Sequence, residues 1–103
     1  MRRRGRCITS ALTSFCVAPG TDHDRFAFST TKGFGGAVER NRARRRLREA
    51  FRSVYGAAGA PVSVLGVAKP SSRDVEYREL RAHVAEQLAV LGLPISLENA
   101  EER

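Results

Sequence analysis

Residues 37–52 read Ala-Val-Glu-Arg-Asn-Arg-Ala-Arg-Arg-Arg-Leu-Arg-Glu-Ala-Phe-Arg. Between Arg40 and Arg52 lie seven arginines, no lysine and a single acid, Glu49. The chain carries 18 basic and 11 acidic side chains; outside this window 11 basic residues face 10 acids, so the +7 surplus sits almost wholly here. Like charge held this densely repels itself unless a polyanion neutralises it. Arginine suits phosphate because its planar fork donates two parallel hydrogen bonds and stays charged.

A disordered basic tail would show no apolar rhythm. Ala43, Leu47, Ala50, Phe51 and Val54 recur at helical spacing and predict an amphipathic helix near residues 37–55. Opposite Leu47, Asn41, Arg45, Arg48 and Arg52 step by four, three and four and so stack in one row. Arg42 and Glu49 border that row, while Arg40 and Arg44 fall nearer the apolar edge, where long stems lie over a core and their heads reach water. An ordinary solvated face mixes signs at i,i+4. Here opposite charges are nearly absent, and like pairs at that spacing cost a few tenths of a kcal/mol each, roughly. The helix reads as a folded platform for phosphates.

Working outward, 103 residues with 42% apolar side chains predict one small folded domain spanning residues 1–103. No apolar run approaches the ~20 residues of a membrane span, and a pI near 10.7 points to nucleic acid. Cys7 and Cys16 lack a Cys-x-x-Cys spacing and make no disulfide framework, so reduced, buried thiols in a cytoplasmic protein are expected. The basic start, residues 1–6, followed by Ile8 to Ala18 loosely resembles a targeting peptide, but Thr9, Ser10, Thr13 and Ser14 interrupt it.

Residues 7–18 suit a strand, Pro19 to Asp24 a turn, and Arg25 to Thr31 the return strand of a hairpin. Gly33, Gly35 and Gly36 precede the arginine helix, which Gly56, Gly59 and Pro61 end. Val62 to Ala68 is an apolar run expected at a central sheet position. After Pro70-Ser71-Ser72, acids Asp74, Glu76 and Glu79 open a second helix with Leu80, Val84, Leu88 and Leu91 as its buried stripe. The acidic tail, residues 95–103, is expected to fray. The order is strand, strand, helix, strand, helix.

Catalytic constellations are scarce. Glu39 and Glu49 stand about 15 Å apart along a helix, too far for paired acid–base work. Asp22-His23-Asp24 reads more simply as loop polarity than as a metal site, and His83 as a surface or packing residue. There is no nucleophile elbow, and Gly33, Gly35 and Gly36 lack the Lys-Ser/Thr of a phosphate loop. The residues describe a binding module with no catalytic side chain and no metal site of its own.

The segment Lys32 through Phe51, above all Gly35-x-Ala37-Val38-x-Arg40-Asn41-Arg42-x-Arg44-Arg45-x-x-Arg48-Glu49-x-Phe51, resembles the signature of the bacterial ribonuclease P protein component. Ala68-Lys69-Pro70 and Tyr77-x-Glu79-Leu80 fit the same family more loosely. The resemblance implies an α/β (α+β) two-layer sandwich, a small mixed sheet with two helices, in which the arginine helix makes a left-handed β-α-β crossover. It implies a cofactor protein to a catalytic RNA that, with Mg2+ held mainly by the RNA, hydrolyses the 5' leader from precursor tRNA in the cytoplasm, without DNA or membrane partners. By position, Lys32, Arg40, Asn41, Arg42, Arg44, Arg45 and Arg48 match the family's RNA-contacting residues; Arg52 extends the row. Phe15 matches an apolar strand position near the cleft for the single-stranded leader, and reads equally well as a plain core residue. The sequence departs from the family at Gly33 (usually lysine), near Ala18 (an aromatic) and at Ala68 (a basic residue). Only Met1 to Arg6 precede the first strand, where family members usually carry a helix whose aromatics help form the leader cleft; a misplaced start and a real divergence both account for this, and the resemblance implies catalytic-RNA binding more directly than leader binding.

Three rival readings differ in class. A general RNA-binding or ribosome-associated module would lack any role in leader removal. A helix-turn-helix DNA binder would need a helix where Phe26 to Gly36 reads as strand and glycine loop, and a protein nuclease would cleave unaided.

Overall fold

The structure, a computed structural model, describes residues 5–57 and 59–96; Arg2 to Arg4 of the basic start and residues 97–103 of the acidic tail lie outside them. Helix α1 spans Ala37–Val54 and buries Ala43, Leu47, Ala50, Phe51 and Val54, all five residues of the expected stripe, together with Ser53. Ser53 satisfies its hydroxyl by donating to the Ala50 carbonyl at 2.9 Å. Burying side chains such as Leu47 and Phe51 contributes about 1.5–3 kcal/mol each relative to leaving them exposed.

The expected strand over residues 7–18 is two strands. Strand β1 (Arg6–Thr9) turns back into β2 (Thr13–Pro19), and the two pair antiparallel with Cys7 opposite Cys16. Ser10 makes this turn without glycine or proline: its Oγ accepts from the N–H groups of Leu12 and Thr13 at 3.2 and 3.4 Å. The cysteines also differ from expectation. Cys7 is exposed and Cys16 half-buried, and they form a cross-strand disulfide with Cα atoms 4.0 Å apart.

Strand β3 (Arg25–Thr30) does not return along β2. Strand β4 (Val62–Ala68) inserts between them, antiparallel to β2 and parallel to β3, giving the sheet order β1-β2-β4-β3. Two strands that run parallel need a crossover, and α1 is that crossover. Helix α2 (Tyr77–Val90) packs against α1 and β2 through Leu80, Val84 and Leu88, with Leu91 buried just beyond it. The result is a two-layer α+β sandwich with a four-stranded mixed sheet. β4 is central as expected but open on its outer face, where Leu65 is 42% exposed, because the helices cover one side of the sheet.

The inner face carries Phe15, Val17, Val64 and Phe28. Gly66 on β4 makes room for two rings: a Cβ there would stand 2.7 Å from Phe15 Cε1 and 3.1 Å from Phe28 Cδ1. Thr13 and Gln87 form the buried polar joint between β2 and α2; Thr13 Oγ1 donates to Gln87 Oε1, and Gln87 Nε2 donates to the Thr13 carbonyl at 3.2 Å. The start of the tail expected to fray is fastened: Ile95 bridges Tyr55, and Ser96 N–H donates to the Val54 carbonyl at 2.7 Å.

Candidate RNA-binding face

The loop before α1 sets where the arginines begin. Thr31 N–H donates to the Ala68 carbonyl at 3.0 Å, Phe34 N–H closes a turn onto the Thr31 carbonyl at 3.2 Å, and the Phe34 ring is buried. Lys32 sits exposed in that turn beside Gly33, whose φ of 81° favours glycine over any side chain. Gly36 N–H then donates to Glu39 Oε1 at 2.9 Å, satisfying one orphan donor of the helix N-terminus. The same carboxylate pairs with Arg73 Nη1 at 3.5 Å, and Arg73 lies over the Phe34 ring. A Cβ on Gly35, at φ 153°, would run into this Glu39 carboxylate.

Glu39 is thereby spent on the cap and on Arg73. Among the described residues, no ion pair links an α1 arginine to a carboxylate. Arg42, Arg45, Arg48 and Arg52 are exposed, and none of their guanidinium groups has a hydrogen-bond partner among the described residues. Arg40 and Arg44, at the apolar edge, are half-buried and held: Arg40 Nη1 donates to the Gly35 carbonyl at 2.7 Å, and Arg44 Nη2 donates to Asn41 Oδ1. Asn41 thus orients an arginine as well as facing solvent.

The helix separates these cations into strips. Arg44, Arg48 and Arg52, at i, i+4 and i+8, line a groove of about 380 Å³ against Phe26 and Phe28 of β3. Arg42 and Arg46 turn the other way, toward Arg73, Asp74 and Tyr77. Arg45 stands outward between the strips. The expected row of Asn41, Arg45, Arg48 and Arg52 therefore exists, but Arg48 and Arg52 also form one wall of a groove with Arg44.

Arg46, absent from the expected set, is a structural residue. Its guanidinium donates to the carbonyls of Ser72 at 3.2 Å, Arg73 at 3.4 Å and Val75, tying α1 to the loop before α2. Burial pulls its pKa below the usual guanidinium value; Arg42's charge pulls the same way, and Tyr77 opposes it.

Of the two readings of Phe15, leader cleft or core, its burial agrees with the core. Phe15 is completely buried, 6.3 Å from the Phe51 ring, because the alternation of β2 turns it toward α1. A base cannot reach it. Phe26, outside the expected site residues, is 38% exposed at the groove. Its signal lay in the pairing of an edge strand with an arginine strip, visible once β3 is placed beside α1.

Elsewhere, His23 Nδ1 lies 2.8 Å from Asp22 Oδ1 in an exposed loop, and His83 Nε2 shares a hydrogen bond with Ser10 Oγ at 2.5 Å. Among the described residues, no group of three or more His, Cys, Asp or Glu is placed to hold a metal, and no helix is long and apolar enough to cross a membrane.

The family model described as Ribonuclease P matches residues 1–92. A ribonuclease P protein component from Chloroflexus aggregans is 36% identical over 86 residues, covering 82% of this chain and 64% of that protein. One from a Roseiflexus species is 34% identical over 95 residues, covering 90% and 78%. A solved Staphylococcus aureus RNase P protein mutant, 19% identical, superposes with a TM-score of 0.70 over 87% of this chain and 77% of that one, a likeness of fold.

Proposed function

The chain belongs to the ribonuclease P protein family, and from that premise we propose that it is the protein subunit of a ribonucleoprotein endoribonuclease that matures the 5' ends of tRNAs. The observation that carries this reading is the unneutralised arginine face: Arg45, Arg48 and Arg52 stand exposed on a helix whose opposite side is locked into the core. Such a face carries its arginines at the fixed spacing of a helix anchored in the core, while their free side chains adjust to the phosphates.

The RNA subunit, with magnesium, supplies phosphodiester hydrolysis. The protein supplies charge and position. Arg42, Arg45, Arg48 and Arg52 neutralise backbone phosphates, Arg40 and Arg44 extend the contact from pre-set orientations, and Lys32 adds a cation at the N-terminal end. Neutralisation lets RNA strands approach one another at lower magnesium than they otherwise need. Phosphate contacts fix register without reading bases, which suits a subunit serving many precursor tRNAs in the cytoplasm. Phe15 takes no part, since the core encloses it.

The test is cleavage of a precursor tRNA at limiting magnesium, with and without the catalytic RNA. Stimulation by the protein only when that RNA is present supports the reading. Binding without stimulation favours a general RNA-binding module, and cleavage by the protein alone a nuclease.

A further inference from the structure

The groove between β3 and α1 joins two chemistries. Its helix wall is Arg44, Arg48 and Arg52; its strand wall is Phe26 and Phe28. No carboxylate lines it. Its volume of about 380 Å³ falls in the range where ligands are held. Phe26 is 38% exposed, yet it is not loose: its ring packs 4.9 Å from Phe51 and meets Tyr55 edge-on at 5.4 Å. The ring is held in place with part of its surface facing the arginines. β3 is also the edge of the sheet, so no other described strand covers that flank.

Phosphate neutralisation alone explains the arginines but not an exposed aromatic among them. In a duplex the base faces are already stacked and cannot reach such a ring. An unpaired nucleotide offers both parts at once, a free base face and an adjoining phosphate, and base–aromatic stacking is tolerant of sequence. The other arginine cluster, Arg42, Arg46 and Arg73, also has an aromatic neighbour, Tyr77, but Asp74 and Glu76 put carboxylates in its groove and Arg46 is engaged by backbone carbonyls.

We propose that this groove seats an unpaired ribonucleotide of the RNA subunit, its base stacked on Phe26 and its phosphate held by Arg44, Arg48 and Arg52. The inference rests on the function proposed above. The RNA subunit is the chosen occupant because the groove is continuous with the arginine face assigned to it.

The experiment measures affinity for the RNA subunit with wild-type protein, Phe26→Leu and Phe26→Tyr. Loss of stacking in Phe26→Leu weakens binding on the order of tenfold without changing the salt dependence, and Phe26→Tyr binds as wild type. Unchanged affinity in a folded Phe26→Leu protein overturns the proposal. So does a defect confined to precursors carrying a leader, which would make the leader the occupant. Because Phe26 also packs on Phe51, the wild-type protein is tested separately with an octaribonucleotide containing 2-aminopurine. Quenching of its fluorescence on binding is expected; binding without quenching overturns the proposal. A wild-type protein that fails to stimulate cleavage sinks the function above, whereas a stimulating protein indifferent to Phe26→Leu sinks the groove alone.

Discussion

The Phe26 ring lies 4.9 Å from the Phe51 ring, tilted by 56°, so the edge strand and the arginine helix meet ring against ring. Phe51 also contacts Tyr55 at 4.9 Å, Phe28 at 5.5 Å and Phe15 at 6.3 Å. One buried ring therefore sets the rotation of α1 about its axis, and with it the direction in which Arg48 and Arg52 leave the helix.

Phe51→Ala is expected to destabilise the protein by about 3–5 kcal/mol, the usual cost of removing a buried ring. Urea unfolding followed by circular dichroism measures it. A loss below about 1 kcal/mol would mean that the aromatic cluster does not fix the helix.

Arg45 and Arg46 are adjacent in sequence and opposite in role. Arg46→Ala removes the donor for the carbonyls of Ser72, Arg73 and Val75 and is expected to cost about 1–3 kcal/mol of stability. Arg45→Ala is expected to stay within about 0.5 kcal/mol of wild type, as surface changes do, while weakening RNA binding. Thermal melts and filter binding on both variants check this; equal stability losses would contradict it.

Gly66→Ala places a methyl group 2.7 Å from Phe15 Cε1. Overpacking of this kind costs about 1–3 kcal/mol, measured by the shift in the urea midpoint. A neutral result would show that the Phe15 and Phe28 rings separate freely.

The Cys7–Cys16 bond closes a loop of nine residues' separation at the β1 edge, with β2 and β4 between it and β3. Reduction by dithiothreitol is expected to lower stability by about 2–3 kcal/mol on the chain-entropy account and to leave RNA affinity unchanged. Loss of affinity on reduction of a still-folded protein would place β1 in the RNA contact.

The arginine helix was legible in the sequence because its apolar stripe repeats at one period: the expected span of 37–55 is Ala37–Val54 in the structure, with the same five stripe residues buried. The β1–β2 turn was not, since Ser10 makes it with a side-chain oxygen in place of glycine or proline. The partner of β3 was hidden for a different reason. Pro19 to Asp24 looks like a hairpin turn, but β4, more than thirty residues on, supplies the strand that lies between β2 and β3. The β1–β2 hairpin register that follows from the Ser10 turn pairs Cys7 with Cys16, and the alternation of β2 turns Phe15 inward. Within the site, charge could be read one residue at a time; the groove at Phe26 exists only once strand and helix are side by side.

The central claim, that the exposed arginines of α1 are the RNA contact, is tested most directly by the salt dependence of affinity for the catalytic RNA. Contact with about six phosphates predicts a fall on the order of a thousandfold between 50 and 200 mM salt. The Arg45→Ala/Arg48→Ala double variant should bind more weakly and flatten the logarithmic slope by roughly one per arginine removed. A double variant with the wild-type slope would contradict the account.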